Sequence, residues 1–252
     1  MHRPTSFSCR SVDTDGDGVD ADVEDGAPNG GDGNNDGILD SEQSNVTSLP
    51  NFVDGGYVTL TSPEETGFDN VEAVANPSPA DAPLGVEFPL GFFEFTVVGL
   101  SPGGATMVTL LSPEQVTTYW KYGPTPDDTA PHWYEFLFDG ATGAEILTDR
   151  IILHFVDGQR GDDDLTENGQ VVEPGAPATR TAVEIDVKPG SDPNSINCTN
   201  NHGVIPVAIL SSVDFDATTV DHTSYVLEKP AQKPRKPTPT IKPASPSVMK
   251  KT

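Results

Sequence analysis

Residues 92–98 read FFEFTVV, and this short stretch decides the fold class. Phe93, Phe95 and Val97 are apolar, and a glutamate and a threonine stand between them. An alternation with a period of two is typical of a β-strand that buries one face. Apolar residues at sustained helical spacing occur nowhere in the chain. The stretch therefore predicts a strand within an all-β fold.

The same pattern recurs outward from this stretch, in short runs broken by Gly and Pro between residues 50 and 178. Asp139-Gly140 and Thr142-Gly143 are turn pairs of the kind that hairpins favour. Many short strands with frequent turns predict an antiparallel β-sandwich. The other predicted strands are Tyr57–Thr61, Thr106–Leu111, Thr117–Tyr122, His132–Phe138 and Arg150–Phe155. The predicted core side chains are Trp133, Phe136, Phe138, Ile151, Leu153 and Phe155.

The charge distribution excludes two classes of partner. The chain carries 39 acidic and 14 basic residues, for a formal net charge of −25. Nucleic acids and anionic membranes require a basic surface, so neither is expected to bind. No apolar run is long enough for a membrane span. Half of the basic residues lie in the Pro-rich segment 228–252, which is predicted to be a disordered tail.

The acidic residues are concentrated in residues 13–45, where a calcium-loop pattern begins with DTDGDGVDADVE. Calcium loops of twelve residues place oxygen ligands at positions 1, 3, 5, 7 and 12 and a glycine at the sharp turn, position 6. Gly18 stands at that turn. The sequence therefore predicts a Ca²⁺ site. Its predicted ligands are the side chains of Asp13, Asp15, Asp17 and Glu24 and the carbonyl group of Val19.

A second copy of the pattern, DGNNDGILDSEQ, occupies residues 32–43, with Gly37 at the turn. Gln43 stands at position 12, where calcium loops carry a glutamate. Because glutamine cannot supply a bidentate carboxylate, we expect the second site to bind more weakly. Its predicted ligands are Asp32, Asn34, Asp36, the carbonyl group of Ile38, Asp40 and Gln43.

Residues 28–31, PNGG, fill the space between the loops where an EF-hand would have helices. The pair of loops resembles thrombospondin type 3 repeats, in which calcium ions organise a chain with almost no hydrophobic core. The resemblance implies calcium binding in an extracellular and often adhesive setting. Eleven acidic residues within 13–43 repel one another, so calcium is expected to order this segment as a stalk. A disordered acidic linker is the alternative.

The residues that follow resemble the choice-of-anchor U domain of bacterial secreted and surface proteins. The resemblance implies a surface-displayed module and no particular ligand. It is carried by NVTSLPNFVDGGYVTL (45–60), NPSPADAP (76–83), FPLGFFEFTVVGLSPGG (88–104), YWKYGPTPDDTAPHWYEF (119–136) and LHFVDGQRGDDDLTENG (153–169).

Residues 183–227 resemble a short β module found near the ends of bacterial exported proteins. The match stops at Leu227, so this module is predicted to be incomplete. Residues 1–12 are undefined and lack the apolar stretch of a signal peptide, so we expect a fragment or an upstream start. Cys9 and Cys198 are the two cysteines, and their pairing stays open.

Catalytic motifs such as Gly-x-Ser-x-Gly, His-Glu-x-x-His and the phosphate-binding glycine loop do not occur in the sequence, so we predict that the protein is not an enzyme. The favoured function is a calcium-binding structural or adhesive module outside a bacterial cell, with a surface glycan or surface protein as a further partner. The alternative is a carbohydrate-binding module. Residues 157–164 are either a cation site or a solvated acidic turn. The aromatic residues of the alternative platform are Tyr119, Trp120, Tyr122, Trp133 and Tyr134.

Overall fold

The computed structural model describes residues 12–112, 114–180, 183–193, 206–212 and 216–220. Those up to residue 180 belong to one compact unit, and those from residue 183 onward belong to another. The first unit consists of two antiparallel β-sheets and a few short helical turns, which confirms the predicted all-β class. Cys9, Cys198 and the predicted basic tail lie outside the described residues.

Five antiparallel strands form the first sheet. They are β1 (Val46–Pro50), β2 (Tyr57–Thr61), β6 (Ala105–Leu111), β9 (Gly143–Ile146) and β10 (Arg150–Val156). Their order across the sheet is β1-β2-β6-β10-β9.

Six strands form the second sheet. They are β3 (Gly67–Val74), β4 (Val86–Glu87), β5 (Phe92–Val98), β7 (Thr118–Thr125), β8 (Asp128–Glu135) and β11 (Val171–Arg180). Five of them follow the order β3-β5-β11-β7-β8, and β4 pairs with the end of β11.

Both sheets contribute to one hydrophobic core. From the second sheet, Phe93, Phe95 and Val97 of β5 are buried, as the alternating pattern predicted. From the first sheet, β10 supplies Leu153 and Phe155, which are also buried. Full burial of a large apolar side chain contributes about 1.5 to 3 kcal/mol, so this shared core holds the two sheets together.

Strand β11 lies between β5 and β7, although the sequence VVEPGAPATR predicts no central strand there. Proline and glycine are depleted in the interior of sheets. A Cβ atom at Gly175 would collide with the side chains of Tyr119 and Glu173, so the glycine gives β7 room to pack. Tertiary packing therefore outweighs the low strand propensity of this segment.

Two predicted core residues lie elsewhere. Phe138 is 40% exposed and packs on His154, with ring centroids 4.4 Å apart. Strand β8 ends at Glu135, three residues before the predicted end, so the period-2 pattern does not extend to Phe138. Trp133 is half-buried against Phe88, with centroids 5.5 Å apart. Phe136, Ile151, Leu153 and Phe155 are buried as predicted.

The second unit contains β12 (Glu184–Val187) and β13 (Val207–Leu210), which pair antiparallel. A short 3₁₀ turn follows at Ala217–Thr219. These elements lie within the segment predicted to be a short β module.

Candidate metal centre

The first acidic loop folds around its own carboxylates. Asp13 accepts hydrogen bonds from the backbone N–H groups of Gly16 and Gly18, at 2.7 and 3.1 Å. Asp17 Oδ1 accepts from the N–H of Val19 at 2.7 Å. Gly18 has a φ of +106°, a left-handed conformation that favours glycine. The loop therefore closes from position 1 to position 6, as the calcium-loop register predicts.

The second loop repeats this backbone geometry. Asp32 Oδ2 accepts from the N–H of Gly37 at 2.9 Å, and Asp36 Oδ1 accepts from the N–H of Ile38 at 2.9 Å. Gly37 has a φ of +95°. The two copies in the sequence are thus two copies in structure.

Each loop ends in a short helical turn that buries one acidic residue. Helix α1, Ala21–Glu24, buries Glu24, and a 3₁₀ turn at Asp40–Glu42 buries Asp40. A short turn, Pro28–Gly31, connects the loops, and its Asn29 and Gly30 have left-handed backbone angles. Position 12 of the first loop and position 9 of the second therefore both carry buried carboxyl groups.

Three aspartates of the first loop converge. Asp13, Asp15 and Asp17 each offer a carboxylate oxygen, and these atoms lie within 4.8 Å of one another. Asp17 is 0% exposed. Among the described residues, nothing donates a hydrogen bond to Asp17 Oδ2 or to either carboxylate oxygen of Asp15, although all three atoms are buried. This group could hold a metal ion.

Glu24 adds a fourth carboxyl group beside them, and this one is fully buried. Its Oε1 accepts from the backbone N–H of Ser48 at 3.4 Å, whereas Oε2 is buried and has no partner within the described ranges. Burial, followed by the negative charges of Asp17 and Asp15, raises the pKa of Glu24 to about 9. Burial also raises the pKa of Asp17 to about 6. Removal from water disfavours the ionised forms, so the metal-free site holds protons.

Two further oxygens lie close to this group. Asp40 is fully buried, and its Oδ2 accepts from the N–H of Gly33 at 2.9 Å, while its Oδ1 meets no donor in the described chain. Thr47, on β1, is fully buried, and its hydroxyl lies close enough to the Asp17 carboxylate to lower the pKa of Asp17, although the two groups lack hydrogen-bond geometry. The calcium-loop pattern could not identify Thr47, because this residue belongs to a strand and not to a loop position.

The donor set of the first loop suits a hard divalent cation. Every candidate ligand is an oxygen, and calcium and magnesium both bind oxygen in preference to nitrogen or sulfur. A cation would supply a partner to the carboxylate oxygens that have none. The five predicted ligands of this loop lie within twelve consecutive residues, and the carboxylate oxygens of the three aspartates among them lie close to one another.

The second loop holds its charges differently. Asp36 is exposed, and it also accepts from Asn34 Nδ2 at 2.8 Å and from Gln43 Nε2 at 3.4 Å. These hydrogen bonds, led by that from Asn34, lower the pKa of Asp36. Gln43 therefore approaches the loop through its amide nitrogen, which is a donor and not a metal ligand.

The first loop packs directly against the sandwich. Val19 lies in the hydrophobic core, and the N–H of Val71 donates to the carbonyl oxygen of Asp17 at 3.1 Å. Tyr57 Oη donates to the carbonyl oxygen of Val23 at 2.6 Å. The candidate site is therefore joined to β2 and β3 by both apolar and polar contacts.

Within residues 157–164, two aspartates accept hydrogen bonds from the backbone of neighbouring loops. Asp157 Oδ2 accepts from the N–H groups of Gly103 and Gly169 at 2.9 and 2.7 Å. Asp162 accepts from the N–H groups of Val172 and Gly158 at 2.9 and 2.7 Å. Both carboxylates are buried and paired with backbone donors, so they bind the protein's own chain.

The aromatic residues considered as a sugar platform are packed against other side chains. Trp133 stacks on Phe88, and the guanidinium group of Arg180 lies 5.5 Å from the ring centroid of Trp120. Tyr119 is fully buried in the core. Contacts within the protein therefore explain the positions of these three aromatic side chains.

Comparisons with protein-family models, curated proteins and solved structures found no match to this chain. The resemblances to thrombospondin type 3 repeats and to the choice-of-anchor U domain remain predictions from the sequence. Within the described part of the chain, no helix is long and apolar enough to cross a membrane.

Proposed function

We propose that this protein is a calcium-binding structural module of an extracellular or surface-displayed bacterial protein. Calcium, held by the first acidic loop, would fix that loop against the β-sandwich. The second loop would bind a further calcium ion with lower affinity. The proposal assigns these carboxylates a structural role and no part in catalysis.

One observation carries the proposal: buried carboxylate oxygens of Asp15, Asp17 and Glu24 have no partner among the described residues. An isolated ionised carboxylate costs many kcal/mol to bury, so such groups are paired, protonated or bound to metal. Here burial, followed by the negative charges of neighbouring carboxylates, raises the pKa values of all three groups. A divalent cation would remove this repulsion and satisfy the free oxygens together.

The loop geometry favours calcium over magnesium. Magnesium demands near-octahedral coordination and keeps several of its waters, so it rarely uses a cage made of protein alone. Calcium accepts roughly six to eight oxygens in flexible geometry. The first loop offers four carboxylates, including the position-12 Glu24, and the backbone carbonyl of Val19 on twelve consecutive residues.

The contacts of the loop support a structural role. Val19 is a core residue, and Asp17 is both a candidate ligand and the hydrogen-bond acceptor for the backbone of Val71. Ordering the loop with calcium would therefore also order the chain around β3. Linked binding of this kind stabilises the folded state by an amount that grows with the logarithm of the ligand concentration once that concentration exceeds Kd. Such a role suits an extracellular setting, where calcium-binding modules have affinities of about 10⁻⁴ to 10⁻³ M.

Calorimetric titration of calcium into the full chain tests the proposal. We expect binding at the first site, release of protons at neutral pH, and little competition from an equal concentration of magnesium. Asp17→Asn should abolish that binding. Asp22→Asn is the matched control, because Asp22 is an exposed acid in the same segment and its loss removes the same charge. Absence of heat and of protection from thermal unfolding at millimolar calcium would contradict the proposal.

A further inference from the structure

A second group of buried charges lies within the sandwich, separate from the acidic loops. Lys121 of β7 and Glu173 of β11 are both fully buried and contact each other directly. Lys121 Nζ also donates to the carbonyl oxygen of Gly161, and Tyr119 Oη donates to Glu173 Oε1 at 2.9 Å. Nothing in the proposed calcium-binding function requires this pair.

The surroundings of this pair leave it unbalanced as an ion pair. An ammonium group has three N–H donors. Within the described chain, Lys121 Nζ has two acceptors, Glu173 and Gly161, and the rings of Phe136 and Phe155 lie 5.4 and 5.7 Å from it. Burial of two charges is repaid only when the remaining donors and acceptors are satisfied. A neutral product would meet this condition better.

We propose that Lys121 and Glu173 condense within the folded sandwich to form an intramolecular amide that joins β7 to β11 covalently and releases one water molecule. The product satisfies every polar atom of the site. The single N–H left on Nζ donates to the carbonyl oxygen of Gly161. The new amide oxygen, formerly Oε1, keeps its hydrogen bond from Tyr119.

The reaction balances without any other reactant. Nζ, as the neutral amine, attacks Cδ of Glu173, and Oε1 takes the electron pair while Tyr119 Oη–H stabilises the negative charge. Collapse of this intermediate forms the C=O bond again and expels Oε2. Counted from the ammonium and carboxylate forms, two protons of Nζ leave with Oε2 as water and one stays on the amide nitrogen. Burial raises the pKa of Glu173, which favours the protonated and therefore electrophilic carboxyl group.

Asp163 is placed to transfer the protons. Its carboxyl group lies over Gly123, the next residue on the same face of β7 as Lys121, and its Oδ1 is buried without a partner in the described residues. Its charge acts on both Lys121 and Glu173. A cavity of about 280 Å³ adjoins Glu173 and is lined by Asp163, Glu94 and Asn70, which gives the released water a place to go.

Mass spectrometry of the purified full chain tests the cross-link directly. We expect the region containing residues 121 and 173 to be lighter than its sequence mass by one water. Trypsin should fail to cut after Lys121, and the peptides that contain Lys121 and Glu173 should be recovered joined. A sequence mass together with normal cleavage after Lys121 in the wild-type chain would overturn the proposal, and this result needs no variant to fold.

Two variants identify the chemistry. In Glu173→Gln the same condensation releases ammonia, so a joined peptide that has lost ammonia supports the proposal, and a joined peptide through another residue contradicts it. Asp163→Asn should slow the reaction about 100-fold, as expected for loss of proton transfer. Lys121→Arg keeps the positive charge and should show no loss of mass; a loss of water in this variant would exclude Lys121 as the nucleophile.

Discussion

The two acidic loops share backbone hydrogen bonds, but the aspartates at their fifth positions differ in burial and in pKa. Both close a carboxylate at position 1 onto the N–H of the turn glycine, yet Asp17 is fully buried, whereas its counterpart Asp36 is exposed. Burial raises the pKa of Asp17, and hydrogen bonds lower that of Asp36. The repeated sequence thus sets the loop geometry, and contact with the sandwich sets how deeply each loop buries its carboxyl groups.

Substitution of the buried Glu24 should cause the largest change in calcium affinity. Glu24→Gln takes away the position-12 ligand of the first loop, and we expect calcium affinity there to fall about 100-fold or more, since even outer-shell changes cost up to that amount. Calorimetry would measure the change. Weak binding by the second loop should persist in this variant. Unchanged affinity of the tighter site would exclude Glu24 as a ligand.

The pH dependence of the metal-free chain should follow the buried loop. Asp17 has a folded pKa of about 6 against an ordinary value of 3.8, so the folded state binds the extra proton. Stability is then highest below the ordinary pKa and is lost as pH rises through about 6, by about 2 kcal/mol between pH 4 and pH 7. Glu24, with a pKa of about 9, extends the loss in the same direction.

Thermal unfolding in a chelator, followed by tryptophan fluorescence, would check this dependence, since both tryptophans lie in the sandwich. The same scan with saturating calcium should be nearly flat over this range, because the bound ion keeps the carboxylates ionised. A metal-free chain that becomes more stable from pH 4 to pH 7 would contradict the assignment.

Placing a glutamate at position 12 of the second loop should reduce the difference in calcium affinity between the two loops. Gln43→Glu supplies the position-12 carboxylate and removes the amide that donates to Asp36. We expect the affinity of the second site to rise about tenfold, or about 1.4 kcal/mol. The stoichiometry of a titration at moderate calcium should then approach two ions per chain. Glu42→Gln is the control for charge on the same turn.

A matched pair of glycine variants should give the smallest effect. Gly18→Ala and Gly37→Ala both place a Cβ on a left-handed residue, with φ values of +106° and +95°. At Gly18 the new atom would lie 2.8 Å from the backbone nitrogen of Val71, whereas nothing lies within 4 Å at Gly37. We expect Gly18→Ala to lower the free energy of unfolding by about 1 kcal/mol more. Denaturant unfolding of the calcium-loaded chain would measure both, and equal losses would show that the contact with β3 is not tight.

Much of the fold was predictable because β-strands with one buried face leave a clear alternation. Tyr57–Thr61 and Phe92–Val98 have the predicted ends. β11 was missed because Pro174, Gly175 and Pro177 argue locally against a strand. The packing of Tyr119 explains the glycine. Phe138 was misplaced because the alternation says nothing of where a strand stops.

The candidate site was also predictable only in part. The spacing of Asp13, Asp15 and Asp17 predicted their convergence, since alternate residues around a tight turn face its centre. The burial of Asp17 could not be predicted, because it depends on contacts with residues such as Val71, far along the chain. Thr47 was missed for the same reason.

The place of β11 in the second sheet has a consequence for how the chain is made. Synthesis proceeds from the N-terminus, so β5 and β7 emerge from the ribosome well before the strand that joins them. Until residue 180 has appeared, both strands expose unpaired edges and the sheet is in two pieces. Closure of the sandwich thus waits for the end of the unit, as in other folds dominated by distant contacts. The sandwich unit therefore stays open until its last strand has been made.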